Sequence, residues 1–298
     1  MQPTSVIVIS SHVVRGTVGN RAAAFALETL GHPVWAVPTI TLSWHPGHHR
    51  RAGLPVRTIP AAADFSDLLK ALETAPWLPE VGGILSGYLG DASQAAAIAS
   101  LVRAARLANP SLLYAADPVI GDGDRLYVPE DVAEAVRETL LPEADITTPN
   151  PFELSWLTGS AVPQSPHETA ALAAKLGSRH SIKSVLATSA PAMMNSHIAN
   201  LLVEGGQAHM AEHRMMATVP NGLGDLTAAL FLSEKLEGQA RGEQNLARTT
   251  SRVASVLKRH AALQARGTVD ELALEAATDE LKRPSAPIAA RALGRFKP

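Results

Sequence analysis

The sequence predicts an α/β fold, with a central, mostly parallel sheet and helices on both faces. Three observations carry that reading. Short apolar, β-branched runs recur along the chain, as expected of strands buried on both sides. Stretches with helical spacing alternate with them, the pattern of a parallel sheet built through crossovers. No linker rich in Pro, Gly and Ser and no internal repeat divides the 298 residues, so a single domain over 1–298 is expected.

The elements follow in order. "SVIVIS" (5–10) reads as the first strand rather than a signal peptide, since no basic segment precedes it. "NRAAAFALETLG" (20–31) reads as a helix, with Asn20 as N-cap and Gly31 as C-cap. "VWAV" (34–37) is a second strand, and 43–55 is a long polar loop. Helical spacing marks 64–73, 91–109 and 130–141, and strands are expected at 82–87, from 112 and at 144–150. "PFELSWLTG" (151–159) is a short helix closed by glycine. The helix over 165–177 opens on a Ser-x-x-Glu capping box, Ser165 to Glu168, with Pro166 at its first position. A strand over 184–189 and a hairpin over 197–213, turning at Gly205-Gly206, come next. Two helices, 245–266 and 270–283, precede a Pro- and Arg-containing tail, 284–298, expected to be loosely held or packed on the surface.

Composition narrows the function. Hydrophobic residues make up 46% and charged residues 18%, an ordinary globular balance. A net charge of −2 without a basic block, and 4% aromatics, give no nucleic-acid footprint. The chain has no cysteine, which excludes disulfides, thiolate catalysis and cysteine-ligated zinc. No apolar run is long enough to span a bilayer, so a cytoplasmic protein without a membrane partner is expected.

Ligands in such sheets bind beyond the carboxyl ends of the strands. Ser11, His12, Tyr88, Asp117, Asp122, Asn150, Glu153 and Thr188 fall at those ends and are expected to converge. "DPVIGDGD" (117–124) holds three carboxylates in eight residues. They suit a Mg²⁺–phosphate site or a solvated acidic turn, and Pro118 with the apolar pair Val119-Ile120 tells slightly against the latter. In "TTPNPFEL" (147–154), Asn150 and Glu153 have the spacing of a helix cap. Tyr88 reads as a core or rim residue, or as a cover for a flat ring. The histidines of "HPGHHR" (45–50) fit no familiar zinc spacing. In "NGLGDLTAALFL", the pair Gly222 and Gly224 lets backbone amides approach an anion at a helix start. Asp225 there reads, on that segment alone, as an acidic helix-start residue.

Jointly these segments resemble the pyridoxal kinases of the ribokinase-like superfamily, from about Val6 to Leu236. The carriers are "SSHVVRGTVGNRAAAFALETLG", "DPVIGDGDRLYVPE", "ADITTPNPFEL" and "NGLGDLTAALFL". The resemblance implies a ribokinase-like sheet with a small β flap, and a homodimer. It implies transfer of the γ-phosphoryl of ATP to the 5′-hydroxymethyl group of pyridoxal, pyridoxine or pyridoxamine, with Mg²⁺ and a monovalent cation such as K⁺. By motif position, Asp225 is the catalytic base and Gly222, Leu223 and Gly224 form the anion hole. Ser11, Tyr88, Pro46 and Gly47 lie at the vitamin. Asp117, Tyr127, Thr148, Asn150, Glu153 and Thr188 face ATP, and Asp117, Asp122 and Glu153 face the metal. Two positions depart from the family pattern. Leu223 replaces the threonine of Gly-Thr-Gly-Asp, and Trp44-His45-Pro46-Gly47 replaces Asn-His-Thr-Gly. Pro46 offers neither the hydroxyl nor an N–H. A kinase for a hydroxymethylpyrimidine and a non-catalytic vitamin B6 binder are the rival readings.

Overall fold

A computed structural model describes residues 4–216, 218–238, 241–267 and 269–296. Residues 1–3 at the N-terminus, the last two residues of the 284–298 tail and the His49 side chain of the histidine run lie outside the described residues. The chain runs through β1 (Ser5–Arg15), α1 (Asn20–Thr29), β2 (Val34–Trp44), α2 (His49–Ala52), β3 (Arg57–Thr58), α3 (Ala62–Glu73) and β4 (Val81–Ser86). It continues through α4 (Gln94–Ala108), β5 (Leu113–Ala116), β6 (Gly121–Asp122), β7 (Arg125–Leu126), α5 (Glu130–Ala135), β8 (Ile146–Thr147), α6 (Pro151–Thr158) and α7 (Pro166–His180). The last elements are β9 (Ser184–Pro191), β10 (His197–Glu204), β11 (Gln207–Arg214), α8 (Leu223–Glu237), α9 (Gly242–Gln264), α10 (Thr278–Lys282) and β12 (Arg291–Arg295).

One ten-stranded sheet has the order β12-β11-β10-β9-β8-β5-β4-β1-β2-β3. Its centre, from β9 to β2, is parallel. The edges are antiparallel, with β3 on one side and β10 to β12 on the other. The two-residue strands β6 and β7 form a hairpin apart from this sheet. Alternation along β1 separates two cores. Ile7 and Ile9 join Leu69, Ile98, Leu154 and Leu176 from α3, α4, α6 and α7. Val6 and Val8 point the other way, onto Leu27, Phe231 and Leu246 from α1, α8 and α9. Both faces of the strand are therefore dry, which is why it reads as an unbroken apolar run.

Several expectations are corrected. The first strand does not stop at Ser10. It continues to Arg15, pairing with the far end of β2 past an irregularity between Ser10 and His12. Asn20 is not a cap: Gly19 holds that position, and the Asn20 amide reaches Ser10 O (3.1 Å) and Val37 O (2.9 Å), tying β1 to β2. The C-cap is Leu30, with Gly31 just beyond in the left-handed region. The 43–55 loop is partly ordered, by the end of β2, a 3-10 turn over Pro46–His48 and α2. The 130–141 helix is regular only to Ala135, then widens and tightens over Val136–Leu140 and Leu141–Glu143. The strand expected over 144–150 is reduced to Ile146–Thr147. Ser165 accepts from Glu168 N (3.2 Å), but the Glu168 carboxylate turns to Gln164 N (2.8 Å), so the box is half made. The 270–283 helix is only α10 and a preceding 3-10 turn, because Leu272 and Leu274 are fully buried from an irregular segment. In the tail, β12 pairs with β11.

Candidate active site

Three sets of groups gather at the carboxyl ends of the parallel strands. The first is acidic. Asp117 follows β5 and is buried, and the Thr148 hydroxyl beyond β8 donates to its Oδ1 at 2.6 Å. Burial, and then the charge of Asp225, raise its pKa to about 7, against the pull of the Thr148 hydrogen bond. Asn150 and Glu153 do form the capping box: Asn150 Oδ1 accepts from Glu153 N (2.9 Å), and Glu153 Oε2 from Asn150 N (2.8 Å). The same pair reaches the acidic loop. Ile120 N donates to Glu153 Oε1 (3.2 Å), and Asn150 Nδ2 donates to Gly121 O (2.8 Å). Burial, with Asp117 nearby, holds the Glu153 carboxyl well above its ordinary range.

Tyr127 follows β7 and is exposed. Burial and the charges of Glu153, Asp117, Asp225 and Asp122 push its pKa up. Asp122 itself is exposed, and its Oδ1 accepts from Gly123 N (2.7 Å). Among the described residues no three His, Cys, Asp or Glu side chains form a ready metal cage. Asp117, Glu153 and Asp225 have no basic side chain in ion-pair contact among the described residues. Buried hard oxygens short of positive charge are a donor set that fits a Mg²⁺ ion arriving with phosphates. Thr188, also buried, is fixed through its N–H to Pro149 O (2.9 Å).

The second set is the start of α8. Gly222 caps the helix at φ 92°, and a side chain there would collide with the carbonyl oxygen of Thr17. Gly19 (φ 56°) approaches Ser11 as closely. These contacts seat the 16–19 turn between β1 and α8, where Gly19 N donates to the Asp225 carboxylate. Asp225 is half-buried, and burial lifts its pKa to about 6, partly offset by the amides of Gly19 and of Asp225 itself. Space is open around Gly224. The Leu223 side chain packs on the α1–α8–α9 core, which leaves its backbone at the helix start.

The third set would meet a flat ring. Ser10 Oγ accepts from Tyr88 N (3.1 Å), and Thr39 Oγ1 donates to Tyr88 O (2.7 Å). The Tyr88 ring rests on a small apolar cluster of Val13, Val18, Ile40 and Leu42. Ser11, next to Ser10 in sequence, lies buried against Gly19. Pro46 and Gly47 are exposed, and Gly47 N donates to His45 Nδ1 (3.0 Å). A Cβ on Gly47 would stand 3.1 Å from Asn221 Nδ2, so this loop abuts the approach to α8. His45 has its pKa lowered by burial and by His48, against Glu271. Sequence reasoning missed Ser10, Thr39 and Gly19, whose roles are to hold backbone rather than to carry a recognisable motif.

The family model described as Phosphomethylpyrimidine kinase matches residues 80–265. Pyridoxal kinase PdxY of Granulibacter bethesdensis is 36% identical over 263 residues, covering 86% of this chain and 90% of that protein. The chain belongs to the pyridoxal kinase family. Pyridoxal kinase PdxY of Rubrobacter xylanophilus is 37% identical over 284 residues, 94% of each chain. The Leishmania donovani pyridoxal kinase solved with ADP and pyridoxamine has a TM-score of 0.85 at 26% identity, covering 97% of this chain and 99% of that one. The family's ribokinase-like architecture is therefore the architecture seen here.

Proposed function

We propose that this family member transfers the γ-phosphoryl group of ATP to the 5′-hydroxymethyl group of pyridoxal, pyridoxine or pyridoxamine, in vitamin B6 salvage. One observation carries the reading: Asp225 sits in the first turn of α8, beside a helix start left open at Gly224. A proton acceptor and anion-binding amides thus lie within one turn. With a pKa of about 6, Asp225 is ionised at neutral pH and a better base than an ordinary carboxylate. It would take the proton of the attacking alcohol. The backbone of Gly222, Leu223 and Gly224 would stabilise charge on the transferring group.

Asp117, Glu153 and Asp122 would hold Mg²⁺, which would supply charge neutralisation on the phosphates. Tyr127, Thr148, Asn150 and Thr188 would line the nucleotide side. Ser11 and Tyr88 would hold the pyridine ring, with Pro46 and Gly47 over it. The reading extends to one kinase domain over 1–298, a homodimer, a monovalent cation such as K⁺ and a cytoplasmic place. Among the described helices none is long and apolar enough to cross a membrane.

Relatives named as pyridoxal kinases and a neighbour solved with ADP and pyridoxamine support the choice of acceptor. ADP release with pyridoxal, pyridoxine, pyridoxamine and hydroxymethylpyrimidine, in excess Mg²⁺ and K⁺, tests it. Turnover of at least one B6 vitamer is expected. Turnover of the pyrimidine alone would move the enzyme to that acceptor. Calorimetric binding of a vitamer without any ADP release would make it a binder.

A further inference from the structure

The acidic residues nearest the substrate loop are not those of the phosphate side. Glu271 comes from the irregular segment between α9 and α10, anchored by fully buried Leu272 and Leu274. Its carboxylate accepts from His48 Nε2 at 2.5 Å, with only 15% of the Glu271 side chain and 16% of the His48 side chain exposed. The seat for that carboxylate is above Gly16, where a Cβ would stand 3.0 Å from Glu271 Oε1. Gly16 opens the turn whose other end, Gly19, donates to Asp225. Around this contact lie more exposed pairs: Arg15 with Asp270 (2.7 Å) and Glu271 (3.4 Å), and Arg51 with Asp270 (2.8 Å). Exposed pairs of that kind hold little in water. The enclosed His48–Glu271 contact is the one able to fix the loop.

We propose that Glu271 is a positioning residue for the substrate loop: through His48 it fixes the Pro46–His48 turn over the vitamin side, and so governs how tightly the vitamer is held. The inference rests on the kinase reading above. Its geometry joins a buried anchor, Leu272 and Leu274, to a turn whose Pro46 and Gly47 face solvent. The loop carries the specificity-bearing positions but has little core of its own. Glu271 supplies the attachment. Among the described residues its hydrogen bonds and ion pairs go to His48 and Arg15, not to the groups placed around ATP, so its effect should separate the two substrates.

Glu271→Ala, Glu271→Gln and His48→Ala, in the full chain, test this with three readouts. Glu271→Ala is expected to raise KM for pyridoxal roughly tenfold, the size of one enclosed charge-assisted hydrogen bond. KM for ATP should stay within about twofold, since ground-state contacts to ATP are untouched. Glu271→Gln keeps an oxygen for His48 and should recover most of the loss. The double variant with His48→Ala should lose no more than either alone. Without any substrate, trypsin should cut after Arg51 faster in Glu271→Ala than in the parent. A lower melting temperature with both KM values unchanged and no faster cleavage would overturn the proposal and leave a merely structural glutamate. If the parent turns over no vitamer, the kinase reading fails separately, and unchanged tryptic cleavage in Glu271→Ala would still overturn the tether.

Discussion

The two sides of the candidate site are held by different physics. On the proposed phosphate side, close backbone contacts fix Gly222 against Thr17 and Gly19 against Ser11, and the side chains of the Asn150–Glu153 box hold the acidic loop. A side chain cannot be added at Gly222 or Gly19 without moving main chain. On the proposed vitamin side, the floor is equally firm, with Tyr88 clamped at both its N–H and its carbonyl. The loop proposed as its roof is different. Residues 44–58 include exposed Leu54 and Val56, and the loop is attached by side-chain pairs to Asp270 and Glu271. Transfer of a phosphoryl group demands fixed positions whatever the acceptor. Choice of acceptor can rest on a loop that varies.

That contrast can be broken most directly at Asp225. Asp225→Asn should lower kcat roughly 10²–10⁴-fold, the usual worth of a general base, with the fold intact by circular dichroism. In the parent, kcat/KM should rise with pH through about 6, as Asp225 loses its proton, and then level off. Unchanged turnover in Asp225→Asn would remove the base from the account.

The next effect is on stability, and it concerns the cost of keeping acids buried. Asp117 has its pKa raised to about 7 in the folded chain. A carboxyl raised on folding favours the folded state below its unfolded value, near pH 4, and that advantage is lost as pH rises towards 7. Asp117→Asn should therefore stabilise the metal-free protein by about 1–3 kcal/mol at pH 8, less than the full shift would give, and do much less at pH 5. Equal changes in melting temperature at both pH values would show that Asp117 carries no buried charge.

The smallest effect should come from the roof. Pro46→Thr restores a hydroxyl and an N–H, and should change the ratio of kcat/KM among the vitamers by roughly 2–10-fold, the usual reach of one pocket contact. Identical ratios before and after would take Pro46 out of the specificity argument.

The same contrast explains what could be read from the sequence. Strands buried on both faces announce themselves by composition, and α8 by the glycines and aspartate ahead of an apolar run. Asn150 and Glu153 were legible as a cap because capping is local chemistry. Asn20 was misread for the same reason. Its amide is spent on Ser10 and Val37, which are neighbours only after β1 and β2 pair. The end of β1 was missed because "SHVVR" lacks the apolar density of 5–10 and is ordered by pairing with β2. Residues 270–274 carry helical spacing, but burying Leu272 and Leu274 from a non-helical segment overrides it. That tertiary choice also hid Glu271, which no motif marks.

A crystal structure with pyridoxal and a non-hydrolysable ATP analogue tests the central claim most directly. The account predicts the 5′-hydroxyl within about 3 Å of an Asp225 oxygen, with the terminal phosphate against the amides at the start of α8. A vitamer bound with its alcohol turned away from Asp225, or a phosphate lodged away from that helix, would contradict it.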